Sequence, residues 1–210
     1  MPYPIDQLDA LLWDFDGVIL NSMEVRDIGF EKIFEDYPDE MVEELLDFHR
    51  YNGGLSRYVK IEHFYKNISK EDYNQEDIQR KAEGFSEIMR AELPQKKYLI
   101  EDALTFIREY YNAIPFHIVS GSDQNELRFL CKELDITQYF ISIHGSPTPK
   151  KQLVKTLLEE NNYNREKTAI IGDSINDFEA AEHNKIAFFG YNNEELRGKG
   201  KYIEQLSSCL

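Results

Sequence analysis

Apolar residues along this chain follow two patterns. Short consecutive hydrophobic runs, each ended by Asp, Ser or Gly, alternate with longer stretches of helical spacing. Residues 8–15, LDALLWDF, form the first short run and predict a buried central strand. An acidic, helix-rich stretch follows, from Asn21 to Lys97. Within it Phe30, Ile33 and Phe34 share one helical face, and Val42, Leu45 and Leu46 share another. Gly53-Gly54 interrupts this stretch, and residues 56–65 restart a helix. Ser69 with Asp72, then Asn74 with Asp77, predict helix starts before a segment that ends near Leu93-Pro94.

Beyond Pro94 strand and helix alternate. Helices are predicted over 102–111, 123–134, 149–161 and 177–183. Strands are predicted over 114–120, 139–143, 168–172 and 186–190. Such alternation predicts right-handed βαβ units and a parallel, Rossmann-like α/β sheet, and the first strand joins that sheet by its composition. The helical block is then an insertion. The predicted division is a core of residues 1–20 and 98–210 with a cap of residues 21–97. Ligands in such folds bind beyond the carboxyl ends of the strands, so the residues following each strand carry the functional signal.

The first strand ends in Asp14-Phe15-Asp16-Gly17. Residues two apart on a strand point the same way, so both carboxylates can face one ligand. Paired carboxylates suit a hard divalent cation, a nucleophile or a general acid/base; taken alone, the pattern is more commonly a solvated loop. Ser120-Gly121-Ser122 offers a hydroxyl and backbone N–H groups ahead of a helix, either an anion cradle or an ordinary cap at Ser122 or Asp123. Residues 145–151, GSPTPKK, place lysines where a helix begins, a poor position for the helix dipole, and one of the adjacent pair is a surface residue. Residues 172–177, GDSIND, add Asp173 and Asp177, which suit one metal site; the alternative is Ser174 or Asp173 as the cap of the next helix. The order of the four elements is far more specific than any one of them.

Composition narrows the class. With 41% hydrophobic residues, 13 Tyr and 13 Phe, a chain of 210 residues can bury a sizeable core. No apolar run approaches the ~18–20 residues of a membrane span, and the N-terminus lacks the features of a secretory signal. Cys131 and Cys209 form no CxxC unit, so neither a disulfide framework nor a zinc site is expected, and the expected compartment is the cytoplasm. There are 39 acidic and 24 basic residues, a net charge of −15. That field disfavours nucleic acid and anionic membranes, and an anionic substrate requires positive charge built into the site. Nothing signals an obligate interface, and the oligomeric state, with a monomer as the default, is not legible.

The four segments DFDGV, IVSGS, GSPTPK and IIGDSIND resemble the motifs of the haloacid dehalogenase superfamily, over roughly residues 8–22 and 98–190. The resemblance implies a Rossmann-like parallel sheet with an inserted helical cap. It implies that Asp14 is a nucleophile forming an aspartyl-phosphate and that Asp16 protonates the leaving oxygen, then activates water. Ser120, with Gly121 in the same cradle, would bind the transferring phosphoryl group, and Lys150 would balance its charge. Mg²⁺ would be held by Asp14, the backbone carbonyl of Asp16 and Asp173, with Asp177 supporting them. The family's third motif commonly carries lysine before its first proline; here lysine follows, so Lys151 stands as the alternative to Lys150.

An acid two residues after the nucleophile points, within this family, to phosphate-ester hydrolysis or phosphomutation of a small phosphorylated metabolite. Gly54-Leu55-Ser56-Arg57 resembles the substrate loop of β-phosphoglucomutase-like proteins, the branch that also resembles phosphoglycolate phosphatases. Arg57 would clamp the far end of the substrate; the alternative is a surface arginine paired with Glu62 or Asp47. Lys81 falls roughly where that branch keeps a second cap cation, although a structural role fits it better. GDSIND, Asn21-Ser22 and Arg26 depart from the mutase pattern and favour a phosphatase. A β-phosphoglucomutase-type phosphomutase and a non-catalytic binding or regulatory scaffold are the alternatives.

Overall fold

The computed structural model describes residues 7–209, without the side chains of residues 208 and 209. Residues 1–6 and Leu210, assigned above to the core, lie outside the described residues. Six strands form one parallel sheet: β1 (Ala10–Trp13), β2 (Phe116–Asp123), β3 (Ser142–Ser146), β4 (Thr168–Gly172), β5 (Ala187–Tyr191) and β6 (Lys201–Ile203). Their spatial order is β3-β2-β1-β4-β5-β6. β1 is central, with Leu11 registered against Phe116 on one side and Ala169 on the other. Its four residues are all buried, as the unbroken apolar run requires for a strand covered on both faces.

Alternation along β1 divides the two layers of the core. Leu11 and Trp13 face one apolar cluster, shared with α5 (Glu101–Tyr110) and α6 (Gln124–Glu133). Leu12 joins the other, against α7 (Lys150–Asn161) and α8 (Ile175–Asn184). Trp13 packs on Phe106 and Phe116 at ring-centroid distances of 5.7 and 5.4 Å.

Four helices are inserted between β1 and α5: α1 (Met23–Ile33), α2 (Asp39–Tyr51), α3 (Arg57–His63) and α4 (Gln75–Glu92). Phe30, Phe34, Phe64 and Phe85 are fully or almost fully buried among them, which accounts for the aromatic spacing. Asn74 caps α4 through a reciprocal box with Asp77. The chain leaves the sheet and returns beside itself. Asn21 N–H donates to Tyr98 O at 2.7 Å, and Ile100 N–H to Ile19 O at 2.9 Å. We propose this crossing as the boundary of the insertion, giving the cap as 21–97 and the core as 1–20 and 98–210.

Several expected boundaries are corrected. The third strand is not 139–143 but Ser142–Ser146, because Thr137–Tyr139 closes a 3₁₀ turn first. No helix starts at Ser69: α3 runs on as a π-helical segment, Phe64–Ser69, which Lys70 ends in the left-handed region at φ 57°. Strand β6 was not expected, since three residues carry too little periodicity to read. Among the described residues no helix is long and apolar enough to cross a membrane.

His117, mid-strand in β2, is buried and hydrogen-bonded through Nδ1 to Ser142 Oγ and through Nε2 to Tyr163 Oη. Burial and the neighbouring His144 lower its pKa to about 4. The unfolded state therefore binds the proton first as pH falls, and stability drops between about pH 6.5 and 4, by at most about 1.4 kcal/mol per pH unit for one histidine. Thermal melts should show His117→Asn losing less stability than the parent across this window; an equal loss would place the acid sensitivity elsewhere.

Candidate active site

Each residue singled out at a strand end lies on one edge of the sheet. Asp14 is buried and forms an ion pair with Lys150 Nζ at 2.9 Å. Lys150, in the first turn of α7 and also buried, donates to Asp177 Oδ1 as well. The other Asp177 oxygen takes the backbone N–H and hydroxyl of Ser174, closing the capping box of α8. Lys150 thus explains its poor position for the helix dipole: it neutralises two buried acids. Lys151 points outward to Glu179, each half-exposed. The structure therefore brings Lys150, and not Lys151, into the cluster.

Asp14, Asp173 and Asp177 present carboxylate oxygens that lie within 4.8 Å of one another. Burial and the Asp177 charge push Asp14 up to about 7, against the opposing pull of Lys150. Burial and the Asp14 charge raise Asp173 well above the carboxylate range. Gly17 makes this crowding possible. Its φ is +73°, and a Cβ there would stand 1.8 Å from Asp173 Oδ2.

The Asp16 carboxylate takes a different direction. Oδ1 accepts from Ser22 Oγ at 2.5 Å and Arg26 Nε at 2.7 Å, and Oδ2 accepts from Ser122 Oγ at 2.5 Å. Burial alone would raise its pKa, but the Arg26 charge and the two hydroxyls outweigh this and hold it below the usual range. Arg26 also reaches Glu126 Oε1 at 3.3 Å, and Arg57 Nη1 meets Glu126 Oε2 at 2.6 Å. Glu126, on α6 of the core, is fully buried and holds an arginine from α1 and another from α3.

Arg57 is therefore neither a surface arginine nor a partner of Glu62 or Asp47. It is buried, donates to Ser86 Oγ at 2.6 Å and lies 4.6 Å over the Phe85 ring. Lys81 is turned into the cap, donating to Ile33 O beside the rings of Phe34 and Tyr37, away from the cluster.

Ser120 is buried, and its Oγ accepts from Ser122 N–H at 3.1 Å, which leaves its own O–H free to donate. Gly121 follows at a point of backbone contact with the cap: a Cβ there would stand 2.4 Å from Gly54 O. Asp123, not Ser122, caps α6. Between core and cap opens a cleft of about 210 Å³ lined by Asp14, Asp16, Ser120, Gly121 and Asp173 from the core, with Arg50, Tyr51, Gly53 and Gly54 from the cap.

The donor set fits a hard divalent cation. The carboxylates are oxygen ligands, they crowd one another, and among the described residues no group donates a hydrogen bond to the Asp173 carboxylate. Lys150 supplies one positive charge against three acids, so a cation would relieve the remaining repulsion.

Sheet order and edge cluster define an α/β protein with an acidic cluster at the carboxyl ends of a parallel sheet. The chain belongs to the haloacid dehalogenase-like hydrolases, whose family model matches residues 11–191. Among solved structures it is similar to CbbY from Rhodobacter sphaeroides in complex with xylulose-(1,5)bisphosphate, with 17% identity, 95% of each chain covered and a TM-score of 0.77. It is also similar to β-phosphoglucomutase from Clostridium difficile, at 17% identity over 96% of this chain and 92% of that one, with a TM-score of 0.76. A predicted phosphatase from Clostridium acetobutylicum gives 15% identity, 96% and 95% coverage and a TM-score of 0.76. At these identities the likeness speaks for the fold. Comparison with curated proteins gives no match.

Lys60 and Glu126 were not singled out from the sequence. Glu126 carries no local signal, since 100 residues separate it from Arg26, and Lys60 meets His49 only through helix packing. Removing Lys150 leaves two buried carboxylates unpaired. Lys150→Ala should lower unfolding stability by about 3–5 kcal/mol in chelator, and Lys151→Ala by less than about 1 kcal/mol. Denaturant titration measures both; comparable losses would remove Lys150 from its central place.

Proposed function

We propose that this hydrolase is a Mg²⁺-dependent phosphatase of a small phosphorylated metabolite, acting through an aspartyl-phosphate. The observation that carries the reading is the buried Asp14 carboxylate, 2.9 Å from Lys150 and close to Asp173 in a cleft of small-molecule size. A carboxylate attacks an anionic phosphoryl group only where positive charge offsets the repulsion. Lys150 is in place for that. Asp14, the Asp16 backbone carbonyl and Asp173 would hold the cation, with Asp177 behind them, and the ion would neutralise charge on the transferring group.

In the first step an Asp14 oxygen bonds to phosphorus, the bond to the leaving oxygen breaks, and Asp16 gives that oxygen a proton. In the second, water attacks phosphorus, its proton passes to Asp16, and the Asp14–phosphorus bond breaks. Ser120 O–H and the Gly121 backbone bind the phosphoryl oxygens. In the conformation described, Asp16 is ionised and held by Ser22, Ser122 and Arg26. The acid step therefore requires the carboxyl to leave these donors, take up a proton from solvent and turn towards the leaving oxygen. Arg57 borders a smaller cavity beside Asp16 rather than the cleft, and would meet the far end of a substrate only there. The close approach of Gly54 to Gly121 limits water entry and supports phosphomutation as the second reading. Cysteine usage supports a cytoplasmic location.

Release of inorganic phosphate from p-nitrophenyl phosphate and a panel of phosphorylated metabolites tests the reading. Activity should require Mg²⁺ and vanish in EDTA. Asp14→Asn should lose at least about a thousandfold in kcat, because an amide is not a competent nucleophile. Near-normal turnover in that variant would refute the aspartyl-phosphate route. Transfer within the substrate, with no phosphate released, would establish the mutase.

A further inference from the structure

Beside the cleft lies a second, smaller cavity of about 20 Å³, lined by Asp16, Arg26, Arg57, Lys60, His49 and Ser122, among others. Asp16, Gly53 and Gly121 border both spaces. A substrate with its phosphoryl group at Asp14 therefore directs its leaving portion past Asp16 into this cavity. Three basic side chains and two carboxylates, Asp16 and Glu126, meet here. The carboxylates are taken by the arginines. Lys60 has no acidic partner: its Nζ donates to His49 Nδ1 at 2.7 Å and to Gly53 O at 3.2 Å. His49 is held neutral by burial and the nearby Lys60 charge, and its Nε2 faces Asp27 Oδ1 at 3.5 Å. This chain of contacts fixes the direction of the lysine. Burial, then the charge of Arg26, lowers Lys60 to about 7, the mark of a cation that gains from an anion beside it. Nη2 of the buried Arg57 is also without a hydrogen-bond partner here.

Resting on the phosphatase reading, we propose that Lys60, oriented by His49, is the specificity-determining cation of the site and selects phosphomonoesters whose leaving alcohol carries a carboxylate. Charge decides between anions: a singly charged carboxylate matches Lys60, which has no acidic partner here, whereas a second phosphate brings up to two charges to it. Arg57 Nη2 supplies a second donor to the same group. Arg57 alone does not define the subsite, since Glu126 already satisfies most of its charge.

Binding can be read without turnover, with Mg²⁺ present, by calorimetry of three hydrolysis-resistant probes: 3-phosphonopropionate, n-propylphosphonate and 1,2-ethylenediphosphonate. The parent should bind 3-phosphonopropionate about tenfold or more tightly than either of the others, as one charge-assisted hydrogen bond predicts. Lys60→Met should bring the ratio to propylphosphonate close to one. Lys60→Gln carries the same comparison should the methionine variant fail to fold. Equal binding of all three by the parent overturns the proposal, as does a preference for the diphosphonate or a carboxylate preference that survives loss of the lysine charge. In a parallel phosphate-release assay, phosphoglycolate should be preferred over 2-hydroxyethyl phosphate. A Lys60-dependent binding preference with no phosphate released from any ester sustains the role of Lys60 and refutes the phosphatase reading.

Discussion

Crowding of like charge at the carboxyl edge of the sheet is the constraint around which the rest is arranged. Asp14, Asp173 and Asp177 converge within 4.8 Å in a buried setting, where carboxylates resist ionisation. Lys150 is the protein's own answer, bonded to two of the three. Its placement draws in the start of α7, and the Ser174 capping box draws in the start of α8, so two helices of one face are anchored by the same charge system. Cluster and architecture share one origin: acids that repel each other are held together by a single lysine and a helix cap.

Asp16 shows the opposite treatment of a residue two positions away. It is given an excess of donors, and Arg26 fixes it in the ionised form. Neighbouring carboxylates are thus driven to opposite ends of their range, one raised and one lowered, by environment alone. The tasks proposed above run against these resting states: Asp14 needs positive charge beside it to be ionised, and Asp16 needs release from Arg26 to take up a proton. The acidic balance of the whole chain matters little beside this contrast, because the positive charge an anion would meet is gathered within the cleft and its annex.

What could be read from the chain followed the range of the interactions. The parallel core, the helical insertion and the ordered strand-end residues were legible, because runs such as LDALLWDF and TAIIG, with the residues just after them, are local in sequence. A role for one of Lys150 and Lys151 was legible, because a lysine opposing a helix dipole contradicts local physics, but the dipole does not say which. The limits of β3 were not, since a 3₁₀ turn and a strand start compete over 137–143. Nor were the partners of Arg57. Glu126 sits in a helix whose pattern marks it as an ordinary polar position, and only the closed cap puts it between two arginines. Lys60 and His49, 11 residues apart on separate helices, likewise acquire meaning only when α2 and α3 pack.

The two backbone segments joining cap to core are hydrogen-bonded side by side, through Asn21 with Tyr98 and Ile19 with Ile100. A pair of tethers tied together in this way resists sliding and leaves rocking about one line as the softest movement. The cap then has a single track to travel. A cap hinging there would return Glu126 to the same two arginines and Gly54 to the same glycine, and the ribbon that guides it is tied to the Asp16 loop through Leu20. Changes at Leu20 or Leu99, which pair there, would alter the angle of approach without touching any ligand.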